Sequence, residues 1–449
     1  MYEAIIVGAG FSGLGAAHAL LSAGCDNFLV LEARDRVGGR TKPGKLAGLD
    51  IDLGGMWLSP TQTRLKHFAD HYGIDVYPTF LDGDAVYRIG GREHRGPREK
   101  IDGLFKLGEG IDYFLSSRKL DRLGASLNCE APWDHPRAAE LDAMTVEHWL
   151  ALNVRSERMR SLYRLLCFSL FCAEASQISM LFFLHYVKSG DGIERIISAD
   201  QGGGQNFLFK GSLHQIARRM GDDLGDRLRL AEPVSTIKWA TGSVQVDTAT
   251  GNYEGRRVIL ALPPTLVPSL QFHPQLPQAK AALHKRLNMG SAIKFWVAYD
   301  TPFWREQGLN GLILRDDTPA TPVMDVSPPD QPLGVLAGFF DGNHALVHGD
   351  LDSGARRDIV VNMLAEHFGE RARDELEYVD IDWTAEDYSE GCYGAFAPPG
   401  LYADFGPLLR EPIGPLHWAG TETSPRWTGY VDGAIRSGER AAAEVLARV

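Results

Sequence analysis

Cysteine is scarce in this 449-residue chain, with only Cys25, Cys129, Cys167, Cys172 and Cys392 scattered along it and no CxxC pair among them. An odd, widely spaced set excludes a disulfide framework and gives no zinc-ligand rhythm. Internal repeats and low-complexity tracts are also missing, so neither a solenoid nor a disordered chain is expected. Net positive charge is lacking too: the balance is −12 at pH 7. Nucleic acid and anionic membranes repel such a surface and are excluded as partners, whereas a cationic substrate is weakly attracted. The last residues read as a charged helix, not the long apolar run of a membrane anchor. The first strand starts almost at residue 2, which leaves no room for a signal peptide. The expectation is a soluble, cytoplasmic protein.

What is present is ordinary for a globular enzyme. Hydrophobic residues make up 44% and charged residues 23%, with glycine enriched at 49 residues. The length favours two or three domains. Ala4-Ile5-Ile6-Val7 is a short apolar run ending at glycines, residues 14–23 are helical in composition with Gly24 as a cap, and Phe28-Leu29-Val30-Leu31 gives a second buried strand. Residues 4–32 thus read as one βαβ unit. From about 80 to 205 the chain turns helical, as in residues 161–187. Strand patterning returns at 228–230, 244–246 and 257–262, and again at 292–299, 333–340 and 416–420. A helix closes the chain from about Val431.

Gly8, Gly10 and Gly13 form G-x-G-x-x-G directly after a strand and before a helix. In that setting the first glycine permits the tight turn, the second lets backbone approach a pyrophosphate, and the third lets helix pack on strand. A helix N-terminus then faces the phosphates. Glu32 follows the last glycine by about 20 residues, the distance expected of an acid that binds ribose hydroxyls.

Arg34-Asp35-Arg36-Val37-Gly38-Gly39-Arg40-Thr41 follows at once, a Gly-Gly backbone between Arg34 and Arg40, which are suited to phosphate. This segment, and Asp52-Leu53-Gly54-Gly55 after it, resemble the pyrophosphate-binding segments of the flavin-containing amine oxidase family. The resemblance to monoamine oxidases runs over nearly the whole chain and is closest from 388 to 446. Tyr388-Ser389-Glu390-Gly391-Cys392-Tyr393-Gly394 is similar to the segment carrying that family's flavin-bound cysteine. The resemblance therefore implies FAD, tied covalently through Cys392. A positioned thiolate is the side chain most able to form such a bond.

By the same resemblance Tyr393, and Tyr430 in Trp427-Thr428-Gly429-Tyr430, are the two walls of an aromatic cage before the flavin ring. Such walls exclude water and favour a neutral amine. Val431 opens the last helix, whose positive end would face the flavin pyrimidine. Gly55, Val234, Thr421 and Glu422 resemble further cofactor contacts. Lys294, in a strand that otherwise reads as buried, resembles the lysine that supports reaction of the reduced flavin with oxygen. Its other reading is a solvated residue on the outer strand face. Trp57, Phe171, Ile197 and Gln205 match positions lining the substrate cavity. Trp57 stands where mammalian relatives carry tyrosine, and their C-terminal membrane helix has no counterpart here.

The resemblance implies an α/β fold: a discontinuous Rossmann-like FAD domain from 1–80, 205–290 and 388–449, and a substrate domain of mixed sheet and helices from 81–204 and 291–387. The implied reaction is oxidation of a primary, or secondary, amine to an imine and then aldehyde, with O2 reduced to H2O2. An arylalkyl or alkyl monoamine is the first expectation and a putrescine-type diamine the alternative. For the latter, Asp325 is a candidate ligand for a distal ammonium, against a solvated carboxylate at a strand end. A non-catalytic binding protein on this fold, as in Rab GDP-dissociation inhibitors, is the alternative from another class. No metal is expected, and a homodimer is left open.

Overall fold

A computed structural model describes residues 1–97, 101–200 and 202–447. Strand Tyr2–Val7 leads through Gly8 and Gly10 into helix Phe11–Ser22, and strand Phe28–Leu31 returns parallel to the first. The helix begins at Phe11, earlier than periodicity suggests, because Gly13 lies inside its first turn. A Cβ there would come within 1.9 Å of the Gly8 carbonyl oxygen, so only glycine lets this helix sit on its strand.

An eight-stranded sheet grows around this unit. Tyr2–Val7 lies between Phe28–Leu31 and Asn252–Leu260, parallel to both. The long strand Asn252–Leu260 divides its far edge: residues 252–255 pair antiparallel with Ser243–Thr248, and residues 258–260 pair parallel with Leu416–Trp418. Stretches far apart in sequence thus meet in one sheet. Strand alternation sorts its side chains into two cores. Ile6, Val30 and Ile259 pack under the first and last helices, while Ile5, Leu29 and Val258 face the opposite side.

The last helix, Val431–Leu446, crosses Phe11–Ser22 at glycines. A Cβ at Gly438 would lie 2.0 Å from the Ser12 carbonyl oxygen, and one at Gly15 would lie 2.9 Å from that of Ile435. Backbone contact this close fixes where both helix N-termini point.

A second, seven-stranded sheet runs in the order Glu377–Asp382, Ala292–Tyr299, Gly334–Asp341, Val323–Asp325, Leu309–Arg315, Asp84–Ile89, Arg92–Gly96. Ala292–Tyr299 is antiparallel to both neighbours and buried at every residue. Lys294 therefore has no outer face to occupy, which removes its reading as a solvated residue.

The helical layer contains a break that residues 161–187 did not announce. Helix Glu157–Phe171 stops at Cys172, whose backbone is left-handed (φ 50°, ψ 44°). Helix Met180–Ser189 restarts at Ser179, whose hydroxyl accepts the Phe182 N–H as a cap. Among the described residues no helix is long and apolar enough to cross a membrane.

Candidate active site

One cavity of about 1050 Å³ joins the glycine turn to Tyr393 and Tyr430. Its far end is walled by Gly8, Gly10, Glu32, Arg34 and Val234, while Arg40 and Gly55 join the wall beside Tyr393 and Val431. Its near end is walled by Lys294, Cys392, Tyr393, Thr421, Tyr430 and Val431, with Trp57, Ile197 and Gln205 beyond them. The volume stands at the upper end of ligand pockets, which hold about 300–1,000 Å³.

The glycine end fits a pyrophosphate. Gly8 has φ +100°, and a Cβ on it would meet the Ala261 carbonyl oxygen at 2.5 Å, so this tight turn requires glycine. At Gly10, a cavity residue, a Cβ would meet only the Gly39 Cα, at 3.8 Å. Gly10 also caps helix Phe11–Ser22 with no side-chain acceptor, leaving the first-turn N–H groups to an anion. Glu32 is held in place by the Ala9 N–H, at 2.7 Å from Oε2, and the Arg34 N–H, at 3.0 Å from Oε1.

Both arginines have protein partners. Arg34 donates to Ser389 Oγ at 2.8 Å and to the Asp387 carbonyl, and it ion-pairs with Glu32 and Glu386 at 3.8 Å. It clamps the segment before Cys392 to the ribose end. Arg40 donates to Glu422 Oε1 at 2.7 Å and to the Tyr393 carbonyl at 2.8 Å. Glu422 also accepts the Ala395 N–H at 3.1 Å. The pair of Arg40 and Glu422 thus pins the backbone on either side of Gly394.

At the near end, Lys294 donates to the carbonyls of Gly54 at 2.6 Å and Asp52 at 3.0 Å, with Met56 Sδ at 3.1 Å. Its ammonium also lies 4.2 Å from the centre of the Trp296 ring. Burial pushes its pKa down, and nearby Asp52 works against that shift. Asp52 in turn accepts the N–H groups of Leu213 and His214 at 2.7 and 3.1 Å. Burial pushes the Cys392 thiol up to about 12, while Arg40 and Lys294 pull it back.

Tyr393 packs edge-on to Phe339 at 5.7 Å, and Tyr430 packs on Trp427 at 4.9 Å and Tyr186 at 5.9 Å. Each cage ring is therefore fixed from behind by its own aromatic support. Tyr430 is the cap of the last helix and offers no side-chain acceptor to it, so the N–H groups of its first turn are open at the cavity wall.

Three expected positions stand behind the wall instead of in it. Gly13 packs helix on strand, and Glu422 acts on the cavity through Arg40. Phe171 is buried against Tyr186, at 4.5 Å between ring centres, while its neighbour Leu170 lines the cavity. Successive residues on a helix point about 100° apart, so a match at one position can present the next. Tyr186 and Phe339 line the cavity without having been singled out by sequence; both lie in apolar stretches that read as plain core. Neither reading of Asp325 survives. It is 2% exposed and its carboxylate accepts from Trp304 Nε1 and Arg305 Nε, both at 2.8 Å, and from the Ser327 N–H at 2.9 Å. It belongs to the sheet interior, away from the cavity lining.

The family model for flavin-containing amine oxidoreductases matches residues 11–446. A Mycobacterium tuberculosis protein bearing the name flavin-containing monoamine oxidase AofH is 37% identical, over 99% of this chain and 96% of its own length. Cyclohexylamine oxidase from Brevibacterium oxydans IH-35A superposes with a TM-score of 0.94 at 33% identity, covering 99% of this chain and 98% of that one. Wild-type putrescine oxidase bound to putrescine gives a TM-score of 0.94 at 30% identity, covering 99% of both chains.

Proposed function

The chain belongs to the flavin-containing amine oxidoreductase family, and on that premise we propose that it holds FAD along the glycine end of the cavity and oxidises an arylalkyl or alkyl monoamine between Tyr393 and Tyr430. The observation that carries this reading is the continuity of the cavity from Gly8 and Gly10 to the two tyrosines. When bound, the flavin supplies the two-electron chemistry that turns amine to imine and passes the electrons to oxygen.

The chain's own contribution is binding, orientation and exclusion of water. Tyr393 and Tyr430 bracket the amine nitrogen, and their apolar surroundings favour its neutral form over the ammonium. Leu170, Ile196, Ile197, Leu312, Leu314 and Met324 give the substrate end an apolar lining that suits a hydrocarbon substituent. The open N–H groups at the N-terminus of helix Val431–Leu446 would stabilise negative charge on a flavin held against them. Lys294, whose nitrogen is held by the carbonyls of Asp52 and Gly54, would be the group that supports reaction of a reduced flavin with oxygen. Cys392 would be the residue that holds the flavin covalently, in a loop kept in register by Arg34 and by Arg40 with Glu422.

The test is anaerobic flavin reduction by amine in a single turnover. Replacing both tyrosines, Tyr393→Leu with Tyr430→Leu, should lower the limiting rate at least about tenfold by loosening orientation, while flavin content stays that of the wild type. An unchanged rate refutes the cage.

A further inference from the structure

Behind Tyr393, outside the cavity, lies a carboxyl group with no cationic partner. Asp341 ends strand Gly334–Asp341 opposite Ala292 and is 1% exposed. Neither of its oxygens accepts a hydrogen bond from an N–H or O–H of the described residues. Its polar neighbour is the Cys172 thiol. The titratable groups that feel its charge are Cys172, at the end of helix Glu157–Phe171, and Cys392 and Tyr393 on the cofactor loop.

The thiol in turn faces the hydroxyl of Tyr393. Carboxyl, thiol and phenol therefore form a chain from the sheet interior to a cage wall. Backbone ties hold the chain rigid. The carbonyl of Cys172 accepts the Ser291 N–H at 3.0 Å, and the carbonyl of Ser291 accepts the N–H of Gly342, next to Asp341, at 2.8 Å. A Cβ at Gly290 would lie 2.4 Å from the Cys392 carbonyl oxygen and 3.1 Å from the Cys172 Cβ, so the three segments meet without slack.

We propose that Asp341 is a positioning residue for the amine cage, acting through the Cys172 thiol on the hydroxyl of Tyr393 and so on the set of that ring against the amine. The proposal rests on the reading of Tyr393 as a cage wall. Burial pushes the Asp341 carboxyl well above the usual carboxylate range, with the Cys172 contact opposing. The thiol donates to the carboxyl oxygen and the hydroxyl of Tyr393 donates to the sulfur, so what the chain needs at 341 is an acceptor oxygen. A neutral amide of the same shape should replace it, and a hydrocarbon should not.

The experiment compares anaerobic flavin reduction at pH 7 in the flavin-loaded wild type, Asp341→Asn, Asp341→Leu, Cys172→Ala and the Asp341→Leu, Cys172→Ala double variant. The amine is the fastest of benzylamine, phenethylamine and putrescine, and Tm and flavin content are recorded for each protein. Asp341→Asn should stay within about twofold of the wild-type limiting rate. Asp341→Leu and Cys172→Ala should each lose about tenfold, and the double variant should be no slower than the slower single one, because both break the same chain. The proposal is overturned if Cys172→Ala or Asp341→Leu reduces flavin as fast as the wild type, if Asp341→Asn is as slow as Asp341→Leu, or if the two losses multiply. Cys172→Ala and Asp341→Asn decide the matter should Asp341→Leu fail to fold. A wild type that no amine reduces fails the functional reading itself, before any variant is compared.

Discussion

Cys392 sits where burial opposes its own chemistry. In the proposed covalent link the thiolate would be the nucleophile, yet the thiol is pushed up to about 12, first by burial and then by Asp341 and Glu422, against the pull of Arg40 and Lys294. Below that value the thiolate fraction grows about tenfold per pH unit. Covalent capture of added FAD by the apoprotein should therefore quicken as pH rises, about tenfold from pH 7 to pH 8, read as flavin that stays with acid-precipitated protein. A rate indifferent to pH would show that thiol ionisation does not govern the step, and Cys392→Ala should leave all flavin in the supernatant. Asp325 makes a different prediction from the one its sequence position invites. Asp325→Ala leaves the buried Trp304 Nε1 without its acceptor and takes the ion-pair partner from the partly exposed Arg305 guanidinium, costing about 2 kcal/mol of stability. The ratio of putrescine to benzylamine kcat/KM should stay the same; a selective loss of putrescine turnover would restore Asp325 as a substrate ligand. The place of motif residues such as Gly8, Glu32 and Cys392 on the cavity wall was legible because a motif ties a residue type to a spacing. Asp341 and Tyr186 were not, since their neighbours come from other segments and nothing local marks them.

At the scale of elements, the close crossing of the first and last helices aims both N-termini at the cavity. Gly438→Ala forces the Ser12 backbone to move from the 2.0 Å approach that a Cβ would make. It should cost about 2 kcal/mol and weaken flavin retention, read by thermal unfolding and bound-flavin absorbance. Gly110→Ala is the matched control: it lies within helix Leu107–Ala125, and a Cβ there meets nothing within 4 Å. That change should be neutral or stabilise by up to about 1 kcal/mol; equal effects from the two would remove the crossing as the cause. Strands Phe28–Leu31 and Ala292–Tyr299 were readable to the residue because near-continuous apolar runs, interrupted in the second by Lys294, mark strands buried on both faces. The break at Cys172 was not readable, because a left-handed residue other than glycine or asparagine leaves no signature. That break matters, since it delivers Cys172 to Asp341 and Tyr393.

At the scale of the molecule, the site exists only because residues from the stretches 7–62, 87–113, 162–213, 232–270, 292–339 and 383–434 converge on one cavity. The family and its chemistry were legible through several separate motifs. The substrate was not, because apolar lining residues come singly from many elements and carry no spacing. The apolar lining predicts higher kcat/KM for benzylamine or phenethylamine than for putrescine, whose second ammonium would have to shed water against it. The central claim is that a flavin and an amine meet in this cavity, and one titration tests it most directly: the purified yellow protein, kept free of oxygen, receives a stepwise amount of the preferred amine while its flavin absorbance is followed. The flavin should bleach fully at one amine per flavin and recover on admission of oxygen, with one H2O2 formed for each. A flavin that keeps its colour with benzylamine, phenethylamine and putrescine, or a protein isolated without flavin and unable to take up FAD, would contradict it.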